Sequence, residues 1–266
     1  MKKLMFIAAA ALSASVFADI QSSNIVGYTT KAAAQGKFII MGAQFEGVAG
    51  GTKINDLVSG VTGVDWDADD LFTSTAAQIQ VPAAAGYTTY YYLNDGWYDD
   101  GSESGAYKPG WCNSSGSIVD DELTPGIAVW FKNVQSDANA TVSGAVPDTD
   151  SANVSCPVAF ALRANVYPIA VALNSDKISS SDIIGVDWDA DDAFTATASQ
   201  IQVPAAAGYT TYYYLNDGWY DDGSESGAYK PGWCNSSGSI VSDVIPAAQG
   251  FWTKGVSGAF TLTFVK

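Results

Sequence analysis

Residues 63–119 and 185–241 of this chain are very nearly the same 57 residues. The stretch from Gly63 to Val119 recurs 122 positions later with three changes: Leu71, Ser74 and Ala77 become Ala193, Ala196 and Ser199. Any fold this chain adopts must accommodate that segment twice. The likeness continues more weakly outside it. Ser22-Ser23-Asn24-Ile25-Val26 resembles Ser151-Ala152-Asn153-Val154-Ser155, and Val129-Trp130-Phe131-Lys132 lies level with Phe251-Trp252-Thr253-Lys254. The repeating unit is therefore a module of roughly 120 residues, an ordinary domain size. Functional constraint or a recent recombination would each leave the middle identical and the flanks drifted, so the identity alone assigns no function.

The expected division is a leader over 1–18, one module over 19–147 and a second over 148–266. Lys2 and Lys3 precede an apolar run from Leu4 to Val16, and Val16-Phe17-Ala18 reads as a cleavage site before Asp19. The apolar run is too short to span a bilayer. The expectation is an exported protein, extracellular, periplasmic or on the cell surface, with a bacterial-looking leader and no transmembrane anchor.

Acids outnumber bases 28 to 12, a net charge of −16. Such a surface repels nucleic acid and anionic membrane. It serves solubility, or it gathers divalent cations. Arg163 is the only arginine, which leaves little for bidentate capture of phosphate. Cys112 and Cys234 occupy equivalent positions and Cys156 has no counterpart. A Cys112–Cys234 disulfide is one expectation, if the modules pack about a pseudo-two-fold axis. Three buried thiols is the other.

The patterning is that of strands. Gln78-Ile79-Gln80-Val81 alternates polar and apolar residues, and Gly86 to Leu93 reads as a strand with Tyr87, Thr89, Tyr91 and Leu93 on one face and Thr88, Tyr90 and Tyr92 on the other, Leu93 marking the core face. Asn94-Asp95-Gly96 reads as a hairpin turn, with Trp97 and Tyr98 starting the return strand and Asp99 to Gly110 a long loop. Thr52 to Val58 suits one helical turn capped by Thr52 or Asn55. In the second half, Asn153 to Leu162 and Asn165 to Leu173 read as strands. Short strands between regular turns, with almost no helical period, predict an all-β chain of two tandem sandwich-like or barrel-like modules.

Gly86-Tyr87, Gly96-Trp97, Pro125-Gly126, Trp130 and Val142-Ser143-Gly144 together resemble modules of exported all-β proteins of the planctomycete and verrucomicrobial kind. The second copy departs from the pattern at Ala247-Ala248, where Pro-Gly stands in the first. The resemblance implies a surface or extracellular β module and carries over no catalytic residue.

Two sets of residues look chemical. Asp65, Asp67, Asp69 and Asp70, repeated as Asp187, Asp189, Asp191 and Asp192, alternate as calcium-loop ligands do. The sixth position is Asp70 rather than Gly and the twelfth is Ala76 rather than Glu, so this is no EF-hand. A looser Ca²⁺ site or a solvated acidic turn remains. Secondly, Tyr90, Tyr92, Trp97, Tyr98 and Trp111, with Tyr107 nearby, surround the acidic loop. Tyr212, Tyr214, Trp219, Tyr220 and Trp233 are their equivalents. Flat rings beside carboxylates suit sugars, and they equally suit a β core whose polar tips reach the rim. The absence of histidine removes the usual base near neutral pH. Three functions remain: a self-associating structural protein of the cell surface or matrix, a calcium-dependent glycan-binding protein, and, least supported, a carboxylate-pair glycoside hydrolase.

Overall fold

The computed structural model describes residues 26–47, 52–66, 71–102, 104–188, 193–224, 226–256 and 258–266. The expected leader lies outside them. The chain is all-β. In the first copy a five-stranded sheet runs, in spatial order, β2 (Phe38–Gly42), β7 (Ala128–Lys132), β4 (Gln78–Ala83), β5 (Gly86–Tyr98) and β6 (Ala106–Cys112). A three-stranded sheet runs β1 (Val26–Ala33), β8 (Ala138–Ala145) and β3 (Val58–Ser59). The second copy repeats both orders. Its larger sheet is β10 (Ala161–Ala164), β17 (Gly250–Lys254), β13 (Gln200–Pro204), β14 (Tyr209–Tyr220) and β15 (Ala228–Cys234). Its smaller sheet is β9 (Ser151–Cys156), β18 (Phe260–Val265) and β12 (Ile178–Ser181). β11 (Val171–Ala172) pairs with β16 (Val244–Ile245), and α1 (Ile54–Leu57), α2 (Phe72–Thr75) and α3 (Phe194–Thr197) are single turns. No helix among the described residues is long and apolar enough to cross a membrane.

Alternation explains the layering. In β18 Phe260, Leu262 and Phe264 are buried while Thr261, Thr263 and Val265 are only half-buried, since successive side chains leave a strand on opposite faces. In the first copy Ile79, Tyr90, Trp111 and Phe131 of the larger sheet share a core with Val58, Ala140 and Val142 of the smaller. Ile201, Tyr212, Trp233 and Phe251 meet Ile178, Phe260 and Phe264 likewise in the second. Two sheets closing on one apolar layer is sandwich architecture.

Asn55 sits inside α1 and caps nothing. Its amide donates to the carbonyls of Trp111 (3.2 Å) and Val119 (2.8 Å), and its carbonyl accepts the Trp111 N–H (2.6 Å). In the second copy Asn174 makes the same three bonds to Trp233 and Val241, at 2.8 Å each, from a left-handed turn with φ 61°. A helix and a turn thus deliver one amide to one place, where it ties an edge strand to the following loop. Asn174→Ala would strand those backbone groups. It is expected to cost about 1–3 kcal/mol by denaturant unfolding, and Asn174→Asp, which keeps the acceptor but turns a carboxylate oxygen on two carbonyls, should not restore it.

The Asn94-Asp95-Gly96 hairpin is not formed. β5 runs straight through these residues to Tyr98. Its partners shift from Leu93 opposite Gly110 to Gly96 opposite Lys108, so the chain carries a β-bulge. Pro109, which has no N–H for a ladder, falls where the pairing is broken, on an edge strand. The reversals are at Ala84-Ala85 and between Tyr98 and Ala106, and the last part of the expected loop, Ala106 to Gly110, belongs instead to β6. Leu93 faces a core, but a small one of Phe72, Ala76 and Cys112 on the far side of the sheet, while Tyr90 faces the main one. The expected strand from Asn153 to Leu162 divides into β9 and β10, and of Asn165 to Leu173 only β11 is extended.

The two larger sheets meet through β2 and β7 of one copy and β10 and β17 of the other. Ile40, Ala128, Leu162 and Ala164 form a separate core there, flanked by Trp130 and Trp252. Backbone bonds cross it from Gly42 N–H to Ala248 O (3.0 Å) and from Ala164 N–H to Gly126 O (2.9 Å). Those two bonds are the same bond displaced by 122 residues in each direction, so the seam has pseudo-two-fold symmetry. Gly42 meets its own counterpart Ala164, and Gly250 meets Ala128. A Cβ on Gly42 would come 2.6 Å from the Ala164 Cβ.

Candidate functional site

Each bulge builds a cleft. In the first copy, Trp97 and Tyr107 are direct partners on β5 and β6, so their rings leave the same face. Asp95 Oδ1 accepts the Trp66 N–H at 2.6 Å, which brings the 63–66 loop alongside. Asn94 donates to Gly63 O (3.2 Å) and to Asp65 Oδ1 (3.0 Å) and so fastens the same loop. Trp66, Asp95, Trp97 and Tyr107, with Ser115 to Ser117, line a cleft of about 230 Å³. Trp188, Asp217, Trp219 and Tyr229, with Ser237 to Ser239, line one of about 210 Å³ in the second copy.

The rings are set in place by glycine. Gly105, at φ +64°, lies against the Trp97 indole, whose Nε1–H donates to Ser104 O at 3.4 Å. Gly116, at φ +78°, lies against the Trp66 indole. At both positions a Cβ would overlap the ring, and the left-handed backbone already favours glycine. Even so, Trp66 stays 42% exposed, Trp97 39% and Tyr107 67%. The second copy repeats the arrangement, with Gly227 against Trp219 and Gly238 against Trp188. Three large rings held open around one carboxylate form an apolar patch with a single charged acceptor. Monomeric surfaces seldom keep such patches without a binding role. The space is below the roughly 300–1,000 Å³ that drug-sized ligands fill, so each cleft suits one ring-sized unit.

The expected aromatic set divides. Trp97 and Trp219 are in the clefts. Tyr90, Trp111, Tyr212 and Trp233 are buried in the main cores, and Tyr92 and Tyr214 pack against them. These six stand on the inward side of the alternation and lie in, or pack against, the core rather than in the clefts. Tyr90 and Tyr212 donate through their hydroxyls to Asp121 and Asp243, each at 2.8 Å. Burial, then those carboxylates, raise both phenols well above their ordinary range. Tyr98 and Tyr220 leave the face opposite the cleft and are capped by Lys108 and Lys230, 4.1 and 4.2 Å from the ring centres. Trp66 and Trp188 are cleft residues that sequence reasoning set among the acids rather than the rings. Their signal is an indole inside a run of aspartates, where a core position is implausible.

The acidic run is only partly described. Asp65 and Asp187 are exposed and accept from Asn94 and Asn216, each at 3.0 Å. Asp67, Asp69, Asp70, Asp189, Asp191 and Asp192 lie outside the described residues. Among the described residues no three Asp, Glu, Cys or His side chains gather as a metal site.

The Cys112–Cys234 disulfide is not formed. Both are free thiols, each buried in its own copy's small cluster beneath the bulge, with Leu93 or Leu215. Burial, helped by Asp95 and Asp217, pushes these two thiols up to about 12, and burial pushes Cys156 up to about 11. The thiolate is the reactive form. In the folded protein near pH 8, no thiol is expected to react with a disulfide reagent within minutes, and in guanidinium all three are expected to.

No protein-family model, curated protein or solved structure matches this chain.

Proposed function

We propose that the protein is an exported, non-catalytic binding protein whose twin clefts each take one sugar ring of a glycan. The observation that carries this is the exposure of Trp66, Trp97 and Tyr107, and of Trp188, Trp219 and Tyr229, around Asp95 and Asp217. Indole faces stack on the C–H faces of a pyranose, and the carboxylate and the serines offer partners to its hydroxyls. One described carboxylate lines each cleft, whereas glycoside hydrolysis works with a pair. Calcium is an addition to this reading, resting on the aspartates that continue from Asp65 and Asp187. The test is a glycan array followed by tryptophan-fluorescence titration of the hits, with Ca²⁺ and with EDTA. Quenching that saturates at two equivalents supports the reading. A blank array under both conditions refutes it, and indifference to EDTA removes calcium.

A second reading is self-association by strand addition at β1. This strand lies at the edge of its sheet, and its Val26 and Tyr28 are 59% and 75% exposed. Strictly monomeric behaviour in sedimentation at high concentration would rule it out.

A further inference from the structure

A groove of about 430 Å³ lies between the copies, lined by Lys31, Phe38, Trp130, Tyr209 and Gln249 among others. Lys31 is half-buried in it. Its ammonium donates to Ile40 O at 2.7 Å and to Gln249 Oε1, one acceptor from each copy. An ammonium has three N–H bonds, so one crosses the seam to Gln249, one stays within the first copy at Ile40, and one is not accounted for. Among the described residues the sole ion pair is Lys53–Asp120. Among the described residues Lys31 has no carboxylate partner, in a chain where acids outnumber bases 28 to 12. Burial lowers its pKa to about 8, and no acid among the described residues opposes that fall. A half-buried cation with no counter-ion is costly to keep.

The rings beside it are accessible. Phe38 is 41% exposed and meets Trp130 edge-on at 6.0 Å, and Tyr209 is 44% exposed. The duplication provides a comparison within the molecule. The mate position, lined by Phe160, Gln202 and Trp252, keeps the counterparts of Phe38 and Trp130. It has the apolar Val154 where Lys31 would be, since Lys31 pairs with Ala140 and Val154 with Leu262, and it has Ile127 where Gln249 would be. The cation is therefore confined to one side of the seam.

We propose that this groove binds a carboxylate carried on a six-membered ring, with Lys31 holding the carboxylate and Phe38 and Tyr209 holding the ring. Hexuronates and aromatic acids share that chemistry. The proposal is independent of the tryptophan clefts, whose ligand would bind at two sites per chain rather than one.

The test is calorimetric titration of the whole protein with digalacturonate, its neutral counterpart digalactose, and benzoate. One acid site per chain is expected, with the neutral sugar at least about tenfold weaker, as suits a lost hydrogen bond to a charged group. Saturation by digalacturonate alone identifies a sugar acid, and by benzoate alone an aromatic acid. Lys31→Met is expected to weaken binding by about tenfold or more. Because Lys31 also joins the copies, Tyr209→Ala, at an exposed ring, gives a second variant with the same expectation. Gln202→Ala, in the mate groove, should leave acid binding as it was. Absence of binding by both acids, or full affinity in both Lys31→Met and Tyr209→Ala, would overturn the proposal.

Discussion

Gly250→Val is expected to destabilise the protein by about 3 kcal/mol or more, at the upper end of what overpacking usually costs. A Cβ at this position would overlap both the Ala128 Cβ and the Ile40 Cγ2 across the seam. Neither neighbour can retreat. Ala128 lies on β7 between β2 and β4, and Ile40 is 3% exposed in the same small core. The strain would pass to the two backbone bonds that join the sheets, because they are formed by the adjoining residues Ala248 and Gly126. Gly258→Ala, whose Cβ meets nothing within 4 Å, should change stability by less than about 0.5 kcal/mol. Chemical denaturation of the two variants beside the parent checks the pair. Equal stability of all three would mean that the seam is looser than its geometry.

The second large effect is on binding. Trp97→Ala is expected to remove one of two equivalent glycan sites and leave the other at full affinity. Trp97→Ala with Trp219→Ala should weaken binding by about tenfold to a hundredfold, the usual cost of deleting a central tryptophan. The stoichiometry should thus read two, one and none in the parent, single and double variants. The fold should survive, since both indoles are well exposed and are held from the side by Gly105 and Gly227 rather than by the core. A double variant that still binds two equivalents would place the sugar elsewhere.

The strands were legible because side-chain alternation is local. Ile79 between Gln78 and Gln80 is enough to mark β4, and the repeat carried that reading into the second copy. The bulge was not, because Asn-Asp-Gly tolerates either a reversal or an extra strand residue. The choice lies with Lys108-Pro109-Gly110 on the neighbouring strand, which keeps pairing on both sides of the break. Tyrosine identity alone did not divide the aromatic set. Tyr90 and Tyr107 have the same side chain, and only their register in the sheet makes one 5% and the other 67% exposed. The seam left the faintest trace. Gly42, Ala128, Ala164 and Gly250 are small residues among many, and they become informative only when each is seen against its counterpart.

That seam of like against like has a historical consequence. A surface fitted to its own twin is what a pair of separate identical chains would use, and fusing them makes their meeting independent of concentration. Fusion also releases them from changing in step. Gln44, which accepts the Ala248 N–H and donates to Tyr167 O, stands where the other copy has Val166, and Lys31 stands where it has Val154. Such one-sided novelty is open to a gene that holds both partners and closed to one that encodes a single partner twice.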